Sequence, residues 1–327
     1  MKSFIKAIST YIPSKKVSNQ DISEQFPEWD SDKILNKIGI QSRNITSEDE
    51  YTSDIAVSAI NNLFEEHKID KNIIDFLIIC TQSPDYFLPT TACIVQDKVG
   101  LKTSCGAIDI NQGCSGYIYG LSLANALVAS GTSKNVLLVT AETYSKHIHH
   151  TDKGNMSLFG DASTATLVSN EGEFEIGKFS LGTDGSGAEN LMIKNGASKY
   201  QKTEDKNDMN NYLHMNGSEI FDFTSKSVPS LVEDNLLKNE ISKDEIDTFI
   251  FHQANTFMLN FLRKKISIPT EKFVIDMLNY GNTVSSTIPL ALKNSITNKR
   301  DMKNIMLVGF GVGYSWGAVC LKNTSND

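Results

Sequence analysis

Residues 74–80 read IDFLIIC and residues 246–252 read IDTFIFH, so the same apolar, strand-like run occurs twice in the chain. Two further pairs of segments match at nearly the same spacing: 108–109 with 275–276, and 134–139 with 303–308. Apolar runs that alternate with amphipathic helices are typical of α/β proteins, and a repeat at constant spacing indicates a duplicated unit. We therefore predict two α/β halves whose sheets are related by a pseudo-twofold axis. The alternative is that unrelated βαβ units look alike.

Local patterns place the elements of each half. The predicted strands are residues 76–80, 107–110, 136–140, 249–252, 273–276 and 305–308. A helix is predicted over 115–130, since its apolar side chains share one face and Gly131 follows as a helix end. We place the two halves at 1–170 and 171–327, and we expect the polar stretch 194–211 to be a surface loop.

Composition narrows the class of protein. The chain has 327 residues, of which 40% are hydrophobic and 21% charged, which excludes a disordered or collagen-like chain. Its formal net charge of -8 provides no general attraction to nucleic acid. No apolar run reaches the roughly 18 residues of a membrane span, and Pro13 interrupts the N-terminus before a signal-peptide core. We expect a cytoplasmic protein that binds neither nucleic acid nor membranes.

Cys114 differs from the other four cysteines in its surroundings. None of the five forms a CxxC pair, which argues against a disulfide framework and a zinc site. Cys114 lies in DINQGCSG, residues 109–116, where glycines flank it and a predicted helix begins. A helix start offers unpaired N–H groups and a positive dipole end, which favour a thiolate and an oxyanion. We predict that Cys114 is a nucleophile with a lowered pKa.

Two more polar residues follow predicted strands. His252 opens the sequence HQAN, and Asn282 lies in the glycine turn NYGNT, residues 279–283. In the internal repeat the Asn282 turn corresponds to the Cys114 turn, and His252 corresponds to Cys80. A lone His or a turn Asn is usually structural, but a pseudo-twofold axis would bring these positions around one centre. We expect them to share a site with Cys114.

A last glycine cluster, GFGVG at 309–313, follows the final predicted strand. A dinucleotide site requires an acidic residue about 20 positions further on, which the sequence lacks. We exclude NAD binding and expect the glycines to let backbone amides approach the reacting centre.

At these positions the chain resembles the β-ketoacyl-acyl carrier protein synthase III family of the thiolase superfamily. The similarity covers nearly the whole chain. The motifs that carry it are residues 111–116, 159–161, 252–255, 280–283 and 309–317. The resemblance implies an α/β, thiolase-like duplicated αβαβα layered sandwich, usually a homodimer, without metal or redox cofactor.

The resemblance also implies a reaction. Cys114 would take an acyl group from a thioester of coenzyme A (CoA) or of acyl carrier protein (ACP). His252 and Asn282 would then stabilise the enolate that malonyl-ACP forms as it loses carbon dioxide, and the product would be a 3-oxoacyl-ACP. The backbone amides of Cys114, Val312 and Gly313 would form the oxyanion hole.

Some residues depart from the family pattern at the substrate entrance. Lys33 and Lys153 stand where relatives hold the CoA adenine between Trp and Arg, and Phe257 stands where many carry Arg. Leu88 replaces a larger side chain that borders the acyl tunnel across the dimer interface. These changes leave the donor open between CoA and ACP. The basic run Arg263-Lys264-Lys265 is a candidate docking site for the acidic carrier protein, or simply a solvated helix face.

Three other functions compete with this interpretation. A papain-like protease has Cys, His and Asn in the same order, but Ser115 and the internal duplication do not fit it. An acyltransferase of the same fold could pass the acyl group to an amine or alcohol without decarboxylation. A non-catalytic partner subunit would be expected to lose the nucleophile, which this chain keeps.

Overall fold

The computed structural model describes residues 1–300 and 302–324. Residue 301 and residues 325–327 lie outside the described residues. Both belong to the predicted second half, 171–327. The strands are β1 (Phe4–Tyr11), β2 (Lys15–Ser18), β3 (Ser42–Ile45), β4 (Phe76–Cys80), β5 (Gly106–Ile110), β6 (Asn135–Glu142), β7 (Ala162–Ser169), β8 (Phe174–Thr183), β9 (Leu191–Ile193), β10 (Leu213–Met215), β11 (Thr248–Phe251), β12 (Asn304–Gly311) and β13 (Ser315–Asn323). The α-helices are α1 (Asn19–Gln25), α2 (Ser31–Ile38), α3 (Thr52–His67), α4 (Thr91–Val99), α5 (Gly116–Ala129), α6 (Lys153–Leu158), α7 (Gly217–Asn239), α8 (Thr256–Ile266) and α9 (Thr287–Thr297).

The main strands form two runs with the same pairing pattern. The order is β5-β4-β6-β7-β1 in the first run and β11-β12-β13-β8 in the second. Each run contains a parallel pair, β4 with β6 in the first and β11 with β12 in the second, and antiparallel strands follow it. The runs join where β1 and β8 pair over two residue pairs. This repeated pattern is the duplication that the sequence predicted.

Alternating side chains on these strands divide the core into three apolar layers. Leu77 of β4 packs with α3 and α4 on the outer face of the first run. Ile78 of β4 and Ile250 of β11 face a central layer that contains α5 and α9. Phe251 of β11 packs with α7 and α8 on the outer face of the second run. Since successive strand residues point to opposite faces, both runs are covered on both sides, and the layers are αβαβα as predicted.

Five of the six predicted strands are present, and their ends differ from the prediction by at most three residues. The prediction of a strand at 273–276 was wrong: only Phe273 bridges to Phe249 of β11. The side chain of Gln253 supplies the reason. Its amide donates to Val274 O at 3.3 Å, and its Oε1 accepts from Asp276 N at 2.7 Å. A side chain thus replaces the backbone partners that a strand ladder would provide.

The other local predictions concern a helix and a loop. The helix predicted over 115–130 is α5, and its predicted apolar face lies in the central layer. The stretch 194–211 connects β9 to β10, and much of it is exposed. The division of the chain into halves at residue 170 stays a prediction.

Candidate active site

The turn between β5 and α5 holds Cys114 in the interior. Its side chain is 7% exposed, two residues before the first residue of α5. Gly113 allows this close packing, since a Cβ there would lie 2.6 Å from both Gln82 Oε1 and Val312 Cγ1. Real Cβ contacts are not this short, so the turn requires glycine.

The predicted glycine turn lies directly against Cys114. A Cβ at Gly311 would be 2.7 Å from Cys114 Cβ and 3.0 Å from its Sγ. The Oγ atoms of Ser115 and Ser315 are 2.6 Å apart, and Ser315 Oγ donates to Val312 O at 2.7 Å. These contacts place the turn of Val312 and Gly313 beside the nucleophile. The role of their amides in an oxyanion hole stays a prediction.

His252 follows β11 and is 2% exposed. Its backbone N–H bonds to Val308 O at 2.8 Å, and its ring packs edge-on against Phe310. Ring atom Nδ1 lies 2.7 Å from Thr287 Oγ1. Burial lowers the pKa of His252 to about 3, so the ring is neutral at physiological pH. It can accept or donate a proton at the cavity according to its tautomer.

Asn282 is held in one orientation. Its Oδ1 accepts from Val284 N at 2.9 Å, and its backbone bridges to Phe159. Its Nδ2 has a 3.5 Å contact to Ala254 O. Because the amide oxygen is occupied, the NH₂ group is the part of Asn282 that can bind an oxygen of a substrate.

The other residues of HQAN are structural. Gln253 holds the segment that replaces the predicted strand, as described above. Asn255 caps α8, where its Oδ1 accepts from Met258 N at 2.8 Å. Gln253 and Asn255 therefore hold in place the backbone segments on either side of the His252 site.

Cys114, His252 and Asn282 line one enclosed cavity of about 80 Å³. The structure thus brings together the three residues that the sequence nominated. The remaining wall is mostly apolar, from residues such as Tyr144, Leu158, Phe159, Ile220, Met258 and Phe310. Such a wall can hold a short acyl chain and exclude water.

The predicted lowering of the Cys114 pKa was wrong for the free enzyme. Burial first, and the Glu142 carboxyl second, raise the pKa of Cys114 to about 12. The backbone hydrogen bond at Cys114 lowers the pKa by less than burial and Glu142 raise it. The nucleophile is therefore a thiol at neutral pH, and it requires a base to react.

Glu142, at the end of β6, belongs to the surroundings of the site and was not predicted from the sequence. Its side chain is fully buried, and its oxygens accept from Gln82 N at 3.1 Å and Ser285 Oγ at 2.7 Å. Burial raises the pKa of Glu142 to about 8. Glu142 links the loop after β4 to the Asn282 turn. The only sequence signal was an acidic residue at the end of an apolar run.

A larger cavity of about 1070 Å³ opens beside the enclosed one. The two cavities share Leu158, Met215 and Asn255 in their walls, so they are contiguous. Phe257 lines the outer cavity and is 64% exposed. The outer cavity provides a path by which a long substrate can reach Cys114.

The two entrance lysines stand beside the outer cavity and do not line it. Lys153 forms an ion pair with Glu28 at 2.6 Å, and Lys33 lies over the ring of Trp29. The cations that do line the cavity are Lys37 and Lys264. Lys37 was missed, and its position one helical turn after Lys33 was the available signal.

The basic run on α8 does not form one patch. Lys264 lines the outer cavity. Arg263 Nη1 instead donates to Ile268 O at 3.2 Å, and Lys265 Nζ donates to Ser225 O at 2.8 Å. Only Lys264 of the three faces the entrance.

Leu88 lies in an exposed apolar loop. It is 83% exposed, and its neighbours Tyr86 and Phe87 are 63% and 79% exposed. Leu88 does not line either cavity of the single chain. The role of Leu88 at an acyl tunnel across a dimer interface stays a prediction.

Within 1–300 and 302–324, no helix has the length and apolar character to cross a membrane. Over the same ranges, no group of three or more His, Cys, Asp or Glu residues could hold a metal ion.

Two family models match the chain. The model described as 3-oxoacyl-[acyl-carrier-protein (ACP)] synthase III matches residues 108–185, and the model of its C terminal part matches 236–323. A β-ketoacyl-[acyl-carrier-protein] synthase III of Clostridium perfringens is 40% identical over 315 residues, which cover 95% of this chain and 96% of that protein. A protein named synthase III 2 from Halalkalibacterium halodurans is 35% identical, over 99% and 97% of the two chains.

Solved structures agree with the sequence comparisons. A crystal structure of a 3-oxoacyl-(acyl-carrier-protein) synthase III superimposes with a TM-score of 0.95 at 43% identity, and the match covers 99% of this chain and 100% of that one. The synthase III of Thermus thermophilus gives 0.89 at 35% identity, with 98% of each chain covered.

The layered sandwich and its buried Cys, His and Asn define a thiolase-fold acyltransferase. The chain belongs to the 3-oxoacyl-[acyl-carrier-protein] synthase III family and is a condensing enzyme. The predicted family, fold class and type of enzyme are confirmed.

Proposed function

We propose that this enzyme transfers an acyl group from a thioester to Cys114 and condenses it with malonyl-ACP, with loss of carbon dioxide, to give a 3-oxoacyl-ACP. The observation that carries the proposal is the single enclosed cavity shared by Cys114, His252 and Asn282. A nucleophile, an imidazole and an oriented amide donor are the groups that the two half-reactions need.

In the first half-reaction, Cys114 attacks the thioester carbonyl. A thiol whose pKa is about 12 must lose its proton as it attacks, and the neutral His252 ring is a base in the same cavity. The backbone amides of Cys114 and of the Val312–Gly313 turn stabilise the oxyanion. The proton then passes to the sulfur of the leaving thiol.

In the second half-reaction, the malonyl thioester carbonyl binds at Asn282 and His252. Loss of carbon dioxide leaves an enolate, whose negative oxygen is stabilised by N–H donors; each is worth about 3 kcal/mol of barrier. The enolate carbon attacks the acyl group, and Cys114 leaves as a thiolate that takes a proton. This chemistry needs no metal ion or redox cofactor.

The substrates reach Cys114 through the outer cavity. Its cations, Lys37 and Lys264, attract the phosphate groups that CoA and the ACP prosthetic arm both carry. Lys33 and Lys153 flank this entrance, Lys33 over the Trp29 ring and Lys153 in an ion pair with Glu28. The acyl donor is thus a CoA or ACP thioester, and ACP is the partner protein in the condensation.

The enzyme works as a homodimer. Strand β5 forms the edge of the main sheet, and its Ile108 is 38% exposed. The loop of Tyr86, Phe87 and Leu88 adds a large apolar surface. An unprotected edge strand and an apolar patch are typical of an interface. Analytical ultracentrifugation of Phe87→Asp tests this arrangement. A mass half that of wild type would support the homodimer, and an unchanged mass would contradict it.

The enzyme acts in the cytoplasm. All five cysteines are free, including the exposed Cys93, which fits a reducing compartment. Fractionation of cells that express the tagged protein tests this, and recovery outside the cytoplasm would overturn it.

Intact-protein mass spectrometry tests the reaction. Wild type and Cys114→Ala are exposed to acyl-CoA and acyl-ACP thioesters and then to malonyl-ACP. The expected result is an adduct on wild type alone, discharged by malonyl-ACP with release of carbon dioxide. An adduct that only an amine or alcohol discharges would indicate simple acyl transfer, and absence of any adduct would exclude Cys114 as the nucleophile.

A further inference from the structure

A series of hydrogen bonds connects the two polar residues that face the enolate. Val284 N donates to Asn282 Oδ1 at 2.9 Å. Thr287 Oγ1 donates to Val284 O at 3.0 Å and lies 2.7 Å from His252 Nδ1. Both backbone groups of Val284 are therefore used, one toward Asn282 and one toward the residue that contacts His252.

Val284 adopts an unusual backbone to make these bonds. Its φ is +54°, in the left-handed region that β-branched residues rarely occupy. It is 1% exposed and packs in the core around the site. Such strained residues persist where their surroundings determine them and are concentrated at functional sites. The geometry around Thr287 is therefore held firmly in place.

The Thr287 hydroxyl has one hydrogen and two neighbours. The Val284 carbonyl can only accept, whereas His252 Nδ1 donates or accepts according to its tautomer. When the hydroxyl donates to Val284 O, it accepts from Nδ1–H, and Nε2 is left without a proton. When the hydroxyl rotates toward Nδ1, it donates to that nitrogen, and Nε2 carries the proton.

We propose that Thr287 is a positioning residue whose rotating hydroxyl lets His252 take the tautomer that each half-reaction needs. This inference rests on the proposed two-step condensation. It assigns to a residue outside the cavity wall the task of switching His252 between proton acceptor and proton donor.

The acylation step uses the ring with a bare Nε2. The Cys114 S–H proton moves to Nε2 as the new S–C bond forms, and the proton then moves to the sulfur of the leaving thiol as its C–S bond breaks. His252 returns to neutral, so no proton is gained or lost in this step.

The condensation step uses the ring with a proton on Nε2. The malonyl carboxylate leaves as carbon dioxide, and its electron pair passes into the enolate, whose oxygen accepts from Nε2–H and from Asn282 Nδ2. The new C–C bond forms as the bond from the acyl carbon to Cys114 breaks. The released thiolate takes one proton from water.

Thr287→Val separates the two steps. Valine has the same shape as threonine but cannot donate, so the Val284 carbonyl, a backbone hydrogen-bond partner of the His252 ring, loses its competing hydroxyl donor. Because a carbonyl can only accept, we expect it to hold the hydrogen on Nδ1 and to leave Nε2 bare. We expect acylation of Cys114 within about threefold of wild type and condensation slower by about 10²-fold, the usual effect of losing one donor to an oxyanion.

Single-turnover assays measure the steps separately, as adduct formation from acyl-CoA and as carbon dioxide release from malonyl-ACP by the preformed acyl-enzyme. Thr287→Ser keeps the hydroxyl and is expected to restore condensation to within about fivefold of wild type. Thr297→Val is the matched control, since it removes an exposed hydroxyl that bonds to Lys293 O in the same helix. The ¹⁵N shifts of His252 in Thr287→Val are expected to show the proton on Nδ1.

Equal losses in both steps, unimpaired condensation by Thr287→Val, or a proton on Nε2 in that variant would each overturn the inference. If wild type itself forms an adduct but releases no carbon dioxide, the proposed function fails instead. The two failures are thus distinguishable.

Discussion

The turns that carry Cys114 and Asn282 occupy corresponding places in the two halves, yet they are built differently. The Cys114 turn follows a complete strand, β5, whereas the Asn282 turn follows a segment whose ladder is replaced by the side chain of Gln253. The first turn presents a thiol against glycines. The second presents an amide whose oxygen is already bonded to Val284.

This difference shows what duplication supplies and what it leaves to local side chains. The repeated pairing pattern brings both turns to one cavity. The corresponding strand ends have also diverged: Cys80 is fully buried and donates to Gln112 O, while His252 reaches the cavity. Symmetry sets the location of the groups, and individual residues set their chemistry.

The largest expected effect comes from removing the nucleophile. Cys114→Ala should lower acyl-enzyme formation by at least about 10³-fold, because the covalent step has no other group to carry it. Cys80→Ala is the matched control, since Cys80 holds the corresponding place at the end of β4. An acyl adduct on Cys80 instead of Cys114 in the wild-type protein would contradict the assignment of Cys114 as the nucleophile.

Asn282→Ala should affect one half-reaction only. Loss of its amide donor is expected to slow condensation by about 10²-fold to 10³-fold, while acylation of Cys114 stays near wild type. Rates of adduct formation and of carbon dioxide release measure the two steps. An equal loss of rate in acylation and condensation would show that the two turns do not act in separate half-reactions.

Gly311→Ala tests the close approach of the glycine turn to Cys114. The added methyl would meet Cys114 Cβ at 2.7 Å and displace the nucleophile, so we expect about a 10-fold to 100-fold loss of acylation. Gly185→Ala is the control, because a Cβ there meets nothing within 4 Å. Similar rates for both variants would show that the packing beside Cys114 is not critical.

Glu142→Gln tests the carboxyl that links the loop after β4 to the Asn282 turn. The folded pKa of Glu142 is raised to about 8, from an ordinary value of 4.5, so between these pH values the folded state binds more protons than the unfolded state. Wild type should lose stability as pH rises through this window, with a slope on the order of 1 kcal/mol per pH unit from this group.

Denaturant unfolding at pH 5 and pH 8 measures the effect of Glu142→Gln. As the pH rises, the free energy of unfolding of the variant should increase relative to that of wild type, because Gln cannot ionise. An identical pH dependence of the two free energies of unfolding would show that Glu142 is not protonated in the folded state. Glu171→Gln, at an exposed surface position, controls for loss of a charge.

The smallest effect is expected at the entrance. Lys264→Ala should raise KM for acyl-CoA about threefold at low salt, and less at high salt, because exposed charges are screened. Lys134→Ala, on a surface away from the cavities, should leave KM unchanged. Equal KM values for the two variants would show that Lys264 does not contribute to binding of acyl-CoA. Lys37 would then be the cation to test.

The sequence alone determined the duplication, most strands, α5 and the three residues of the site. Periodicity and glycine turns are local properties of a chain, so IDFLIIC and IDTFIFH identify the repeat, and DINQGCSG and HQAN mark strand-to-helix connections without any coordinates. Motif similarity added the family.

Only the tertiary structure decided the state of those residues. The raised pKa of Cys114 comes from its burial and from Glu142, which lies 28 positions away in the chain. The loss of the strand at 273–276 comes from Gln253, and the contact of Thr287 with His252 spans 35 positions. Solvation and hydrogen bonding depend on distances in space, and those distances exist only once the two halves have packed together.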